Sequence, residues 1–252
     1  MRIIDLSAPI ASTPSDAPPL MRVEIEYSDH AAGAQAVEAM FGVPPRLLRR
    51  GEGWAIETIT NLGTHNSTHV DAPWHYNSAV GGEPAAKIDE LPLEWFFAPG
   101  VRLDCTANRD GEPVTREQVE RELDRVGHAL EPLDIVLVQT GRDVFYDRAD
   151  YPSLGCGVRV DATEWLWERG VRVMGIDGWS WDRPLHLEAK DALARDEGGV
   201  FWAAHQCDLP YCQIERLHNL GELPPTGFTV ACFPLRIVGA SAAPARVVGI
   251  VD

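Results

Sequence analysis

Two short runs of aliphatic and β-branched residues constrain the fold of this chain most strongly. Residues 134–140 and 171–176 have apolar centres, so each is expected to form a strand that is covered on both faces. Between them a helical pattern follows Asp161, runs over residues 163–168 and ends at Gly170. The order strand, helix, strand predicts an α/β fold with a mixed rather than a purely parallel sheet.

The rest of the chain extends this pattern. A second helix is predicted from Thr115, where the residues are close to a capping box, through Val119 and Leu123 to Val126. Residues 9–19 contain four prolines and predict an extended loop. No repeat or linker marks a boundary, so a single domain over residues 1–252 is expected. Further strands are predicted at residues 3–6, 55–62, 100–104, 229–238 and 245–250.

Charge and composition exclude several classes of protein. The chain has 22 Lys+Arg against 38 Asp+Glu, a net charge of −16, which argues against a partner with a phosphate backbone or an anionic membrane surface. No apolar run approaches the roughly 20 residues that span a bilayer, and Asp5 interrupts any signal-peptide core, so a cytoplasmic location is expected. The five cysteines form no CxxC pair and predict buried thiols rather than disulfides.

Three of the eight histidines crowd between residues 65 and 75. Together with Asp71 they read His65-x3-His69-x-Asp71-x3-His75, and this mixture of imidazole nitrogen and carboxylate oxygen suits zinc or manganese. In an extended segment all four residues have the same parity and project to one side. Pro73 then ends the strand and lets a loop turn His75 back toward the metal. Any one of these histidines could be structural, but four such residues together favour a metal site. The spacing alone does not identify the reaction.

Residues 63–75, Gly-Thr-His-x3-His-x-Asp-Ala-Pro-x-His, resemble the signature of the cyclase family of metal-dependent hydrolases, to which bacterial kynurenine formamidase and isatin hydrolase belong. Members usually read His-x-Gly-Thr-His-x-Asp-Ala-Pro-x-His, and here Ser67 replaces the glycine of that motif. The similarity continues through Gly175-Ile-Asp177, Trp202-Ala-Ala-His205, residues 211–220 and the predicted strands of residues 224–241. The resemblance therefore covers almost the whole chain.

The resemblance implies a swivelling β/β/α-type domain that forms a homodimer and binds one or two divalent metal ions, zinc or manganese. By correspondence with the formamidase members, one metal would be bound by His65, His69, Asp71 and Glu215, and a second by Asp71, His205 and Glu215. The residue that matches the family's general acid/base is His75. From the sequence alone, Glu215 could instead be an ordinary solvated carboxylate, and His205 could be a buried structural histidine.

For function, the resemblance implies hydrolysis of a non-peptide C–N bond in a linear or cyclic amide. A divalent metal lowers the pKa of a bound water from near 16 to about 7 and so supplies hydroxide to attack the carbonyl. His75, with an ordinary pKa near 6.5, can take the proton and return it to the leaving nitrogen. Two alternatives stay open: a lactone or dienelactone hydrolase that uses the same metal site, and a non-catalytic metal-containing binding protein.

The protein is expected to bind a small-molecule substrate, and the positions of its tryptophans indicate what kind. Trp74 lies inside the metal motif, and Trp179 and Trp181 follow a predicted strand end, where open α/β folds usually bind ligands. An aromatic-walled pocket there would favour a flat or aromatic substrate. The alternative is that these side chains belong to the core or to a dimer interface.

Overall fold

The computed structural model describes residues 1–251, which divide into two compact units. The large unit consists of Met1–Pro9 and of the chain from Ser67 onward, and the small unit is Ile10–Asn66. That residues 1–252 act as one domain stays a prediction. In chain order the strands are β1 (Arg2–Asp5), β2 (Val23–Ser28), β3 (Ile56–Leu62), β4 (His69–Asp71), β5 (Ala79–Val80), β6 (Glu83–Pro84), β7 (Phe97–Asp104), β8 (Ile135–Gln139), β9 (Val173–Ile176), β10 (Cys212–Glu215), β11 (Phe228–Ala231), β12 (Ala242–Pro244) and β13 (Val248–Val251). The helices are α1 (His30–Phe41), α2 (Pro73–Tyr76), α3 (Arg116–Val126), α4 (Val160–Glu168) and α5 (Leu185–Arg195).

The large unit is built on one mixed sheet. Within residues 1–251 the sheet has nine strands in the order β1-β13-β11-β7-β8-β9-β10-β4-β12. Strands β7, β8, β9 and β10 are parallel to one another, while the strands on both sides of them pair antiparallel. The prediction of an α/β fold with a mixed sheet is confirmed.

Alternation along the central strands places apolar side chains on both faces of this sheet. On β8, Ile135 and Leu137 belong to one buried cluster, whereas Val136 and Val138 belong to a second one. Each of these four side chains is fully buried. Both faces of the central strands are therefore covered, as their continuous apolar sequence predicts.

Local signals set both ends of α3. Thr115 precedes α3 and its hydroxyl accepts the Gln118 N–H at 3.3 Å, while Gly127 ends the helix with a left-handed φ of 67°. Helix α4 begins at Val160, three residues before the predicted start at residue 163. The loop predicted at residues 9–19 is free of helix and strand as far as residue 18, and Pro19 begins a short 3₁₀ turn.

The C-terminal strands differ from the prediction. The run at residues 229–238 is a strand only as far as Ala231, because Pro234 has no N–H for a ladder and forms an isolated bridge instead. The strand predicted at 245–250 begins three residues later, at Val248, and ends at Val251 as β13. Helices α1 and α5 and the short strand β10 carry no strong sequence pattern and are not predicted, whereas β4 lies in the extended segment predicted before Pro73.

The small unit contains β2 and β3, paired antiparallel, and helix α1. The Asp29 carboxylate caps the start of α1 by accepting the N–H groups of Ala31 and Ala32 at 3.0 and 2.9 Å. Gly42 ends the helix with a left-handed φ of 69°. Taken over residues 1–251, none of the helices is both long and apolar enough to cross a bilayer.

Gly157 lies where two segments of the large unit approach closely, and a side chain there would collide with the backbone of Asp182 and Arg183. Its φ is +71°, and a Cβ there would lie 2.3 Å from the Arg183 N and 2.4 Å from the Asp182 carbonyl carbon. Gly157→Ala is therefore expected to lower the free energy of unfolding by about 2 kcal/mol or more. The control is Gly127→Ala, whose φ is +67° but whose Cβ would meet nothing within 4 Å. Equal losses for both variants in urea unfolding would contradict the crowding argument.

Candidate metal centre

The candidate site lies where β4 and β10 pair antiparallel. The register sets Glu215 opposite His69 and Gln213 opposite Asp71, so the side chains of these residues share one face of the sheet. His69 Nε2 lies 3.3 Å from Asp71 Oδ1 and 3.6 Å from Glu215 Oε2. One ligand atom from each of His69, Asp71 and Glu215 falls within 4.8 Å of the others, and all three residues are buried.

The donor set fits a divalent cation. Zinc-type bonds to nitrogen and oxygen are about 2.0–2.2 Å long, so two ligands of one tetrahedral ion lie roughly 3.3–3.6 Å apart. The distances from His69 to both carboxylates match that spacing. Buried carboxylates are stable when they are paired or coordinate a metal, and this site contains two in contact with one imidazole. The chemistry of these residues therefore suits an ion such as zinc or manganese.

His205 is held against the same site by a carboxylate that the sequence did not reveal. Its Nδ1 donates to Asp182 Oδ2 at 2.5 Å, and the backbone N–H groups of Ala204 and His205 donate to the two oxygens of Asp182 at 2.9 Å. His205 Nε2 lies 3.5 Å from Glu215 Oε1. Asp182 therefore orients the ring so that Nε2 faces the cluster, as in carboxylate–histidine–metal arrangements.

The pKa values describe an electronegative pocket. Burial disfavours the charged imidazole of His205, but the hydrogen bonds with Asp182 and Glu215 outweigh burial and raise the pKa of His205 to about 10. Burial also opposes ionisation of Glu215, yet the hydrogen bond from His205 and the neighbouring imidazoles hold the pKa of Glu215 below its ordinary value. The backbone N–H of Trp181 donates to Glu215 Oε1 at 2.9 Å. The site thus keeps Glu215 ionised and favours positive charge beside it.

His75 reaches the site through a sharp change of direction after β4. Pro73 opens the single-turn helix α2, and the His75 N–H donates to the Ala72 carbonyl at 2.8 Å. The His75 ring centroid then lies 6.0 Å from that of His205 and 5.0 Å from that of Trp202. The predicted turn at Pro73 is present, in helical rather than loop form.

Trp202 packs against both His75 and His205, and the sequence did not reveal it as a site residue. Its ring stacks on His205 at 4.4 Å between centroids and meets His75 edge to face. The backbone of Trp202 has a left-handed φ of 63°, uncommon for a bulky residue, and Glu188 accepts its N–H at 2.8 Å. The only sequence signal for Trp202 was its place three residues before His205.

Trp181, in contrast, is a core residue and not part of a pocket wall. Its side chain is fully buried and donates from Nε1 to the Thr163 hydroxyl.

The predicted site residues fall into both units. His69, Asp71, His75, His205 and Glu215 belong to the large unit, where their side chains form the cluster described above. His65 belongs to the small unit, after β3, and is partly buried. Its role as a metal ligand stays a prediction.

Replacing Asp182 tests how His205 is positioned. Asp182→Asn keeps the size of the side chain but removes the charge that holds the Nδ1 proton, so metal affinity is expected to fall about 10- to 100-fold. Equilibrium metal binding in competition with a chelator measures this loss. Asp191→Asn is the control, because Asp191 pairs with Arg183 at the surface of the same segment. Unchanged affinity in Asp182→Asn would exclude Asp182 from the metal site.

Comparisons with known proteins identify the family of this chain. A family model named Cyclase, described as a putative cyclase, matches residues 4–183, well over half of the chain. Kynurenine formamidase of Salinibacter ruber is 33% identical over 200 residues, which cover 76% of this chain and 81% of that protein.

Solved structures share the fold. Isatin hydrolase A from Labrenzia aggregata, bound to benzyl benzoate, matches with a TM-score of 0.73 and 25% identity over 99% of this chain and 93% of that one. Isatin hydrolase A from Ralstonia solanacearum matches with a TM-score of 0.74 and 24% identity over 100% of this chain and 92% of that one. The resemblance that the motifs indicated is confirmed, and the chain belongs to the cyclase family.

Proposed function

We propose that this protein is a divalent-metal-dependent hydrolase that cleaves the C–N bond of a small linear or cyclic amide. The observation that carries the proposal is the buried cluster of His69, Asp71 and Glu215 with His75 beside it. Membership of the cyclase family supports it, since kynurenine formamidase and isatin hydrolase are among the similar proteins. Hydrolysis adds one water across the bond and yields a carboxylic acid and an amine.

The metal would be held by His69, Asp71 and Glu215, with His65 and His205 as further candidate ligands. When bound, a divalent ion polarises the scissile carbonyl and lowers the pKa of water near it. The protein's own residues set the geometry: β4 and β10 fix three donors through backbone pairing, and Asp182 fixes the ring of His205. Because these groups are ordered before substrate arrives, little reorganisation is needed during the reaction.

His75 is the residue proposed to move protons. It stands at the edge of the cluster, on α2, and its ring meets Trp202 edge to face. In this role its neutral ring accepts a proton as water attacks the carbonyl carbon. The resulting imidazolium then donates that proton to the leaving nitrogen as the C–N bond breaks. Imidazole is suited to both steps because its ordinary pKa lies close to neutrality.

The substrate is proposed to be a small molecule with a flat or aromatic part. Trp202 lies beside both site histidines, and the half-exposed Trp74 is the neighbour of His75 in the chain, so aromatic surface is available close to the reacting groups. A homodimer and a cytoplasmic location complete the proposal.

A substrate panel tests this function. The full-length protein, supplied with Mn²⁺ or Zn²⁺, is assayed with N-formylkynurenine as a linear amide, isatin as a cyclic amide and a simple aryl lactone. The proposal predicts metal-dependent turnover of at least one amide, with chelator-treated protein inactive. Turnover of the lactone alone would replace the amide assignment with an ester one. Metal binding without turnover of any of the three would support a non-catalytic role instead.

A further inference from the structure

Arg216 is a buried arginine for which residues 1–251 supply no counter-ion. Arg216 directly follows Glu215 in the chain, and it is only 7% exposed. The guanidinium carbon lies 3.6 Å from the centre of the Trp179 ring. Its Nε has no hydrogen-bond partner within the described chain, and no ion pair of that part of the chain includes Arg216.

The Arg216 guanidinium therefore has hydrogen-bond donors that no group of the described chain is recorded as accepting. A guanidinium stays charged at every physiological pH and carries five N–H donors in a planar fork. Removing such a group from water without an acceptor is costly, and stacking on Trp179 offsets only part of that cost. Stacking occupies the face of the guanidinium, and at its edge the buried Nε donor has no acceptor within residues 1–251.

The backbone at Arg216 gives a second, independent reason to expect a role for this side chain. Its φ is +58°, in the left-handed region that glycine or asparagine adopts at lower cost. The strained segment is fixed on both sides, because the Arg216 N–H donates to the Gly178 carbonyl at 3.0 Å and the Arg216 carbonyl accepts the Thr68 hydroxyl at 2.6 Å. A long charged residue kept in such a conformation is typical of functional positions.

One loop contacts both the Arg216 guanidinium and the candidate metal centre. Residues 179–181 follow β9, and within them Trp179 stacks on the Arg216 guanidinium while the Trp181 N–H donates to the Glu215 carboxylate. Thr68, the residue preceding His69, donates from its hydroxyl to the Arg216 carbonyl. Arg216 is therefore tied to both strands that carry the candidate metal ligands.

We propose that Arg216, stacked on Trp179, forms a carboxylate-binding subsite next to the metal centre. A carboxylate matches the guanidinium edge with two parallel, charge-assisted hydrogen bonds. As a statement about substrate, this inference rests on the proposed hydrolase function. The preferred substrates would then be amides that carry a carboxylate, or the subsite would hold the carboxylate that hydrolysis releases.

Binding of an unreactive carboxylate tests the subsite without relying on turnover. Isothermal titration of the full-length, metal-supplied protein compares benzoate with its neutral analogue benzamide. Arg216→Met is expected to weaken benzoate binding about 10- to 100-fold and to leave benzamide binding unchanged. The control is Arg169→Met, because the Arg169 guanidinium also stacks on a tryptophan, at 3.5 Å from the Trp165 ring, but donates to the Trp165 carbonyl.

A second variant keeps the test decisive if Arg216→Met folds poorly. Arg216→Asn suits the left-handed φ, and it is expected to lose the preference for benzoate over benzamide while it melts no lower than Arg216→Met. The proposal is overturned if either folded variant binds benzoate as tightly as the wild type, or if the wild type binds benzoate no better than benzamide.

Two formamides separate the possible sources of the carboxylate. N-formylanthranilate carries a carboxylate and formanilide does not. If Arg216→Met lowers kcat/KM for N-formylanthranilate selectively, the subsite binds the substrate's carboxylate. If the ratio of the two kcat/KM values is unchanged but benzoate binding is lost, it binds the released acid. If neither compound nor any other amide is hydrolysed while benzoate binding still requires Arg216, the hydrolase function fails and the anion subsite stands.

Discussion

Replacement of His75 by alanine is expected to lower amide hydrolysis at least about 100-fold while bound metal stays near the wild-type amount. The physical reason is that His75 is proposed to transfer the proton between water and the leaving nitrogen. The three donors His69, Asp71 and Glu215 are positioned by the pairing of β4 with β10. Initial rates and elemental analysis on the same preparation measure both quantities.

The control for this variant is His186→Ala, which removes an exposed histidine from α5. It is expected to keep both activity and metal. Loss of metal together with activity in His75→Ala would assign His75 to the metal rather than to proton transfer. Full activity in His75→Ala would remove it from the mechanism.

Replacement of Asp71 by asparagine is expected to lower metal affinity at least about 100-fold, more than an outer residue such as Asp182 would. The substitution keeps the size of the side chain in a fully buried position but replaces an anionic oxygen with a neutral amide. The Asp71 carboxylate lies 3.3 Å from His69 Nε2, so its charge is part of what would bind a cation there. Competition with a chelator gives the affinity.

Asp134→Asn separates this effect from the general cost of altering a buried acid. Asp134 is also buried and accepts hydrogen bonds from His128 Nε2 at 2.8 Å and from the Glu131 N–H at 2.9 Å, but it is no part of the metal cluster. Its replacement is expected to lower stability while metal affinity stays unchanged. Equal affinity losses in the two variants would indicate a stability effect and not a ligand effect.

The local parts of the site could be predicted from the sequence because they depend on spacing within one segment. The parity of His69 and Asp71 predicts that both side chains lie on one face, and Pro73 predicts the change of direction that brings His75 back. Apolar runs likewise predicted β8 and β9, and the cap at Thr115 predicted α3.

The remaining parts depend on contacts between distant segments. Glu215 joins the cluster only because β10 pairs with β4, and from residue patterns alone it is one acid among many. Asp182 and Trp202 have no motif of their own, and they act through His205, which they contact in the folded chain. Arg216 looks like any surface arginine until its burial and its left-handed backbone are known. Long-range pairing and backbone conformation are not encoded in local periodicity.

The measurement that tests the metal-centred account most directly is a metal titration of the chelator-treated, full-length protein with hydrolysis followed in the same samples. The account predicts no turnover without metal, and activity that rises with added Mn²⁺ or Zn²⁺ and saturates when one or two ions are bound per chain. It also predicts that Asp71→Asn shifts the titration to higher metal concentration. Full activity in protein shown by elemental analysis to contain no divalent metal would contradict the account.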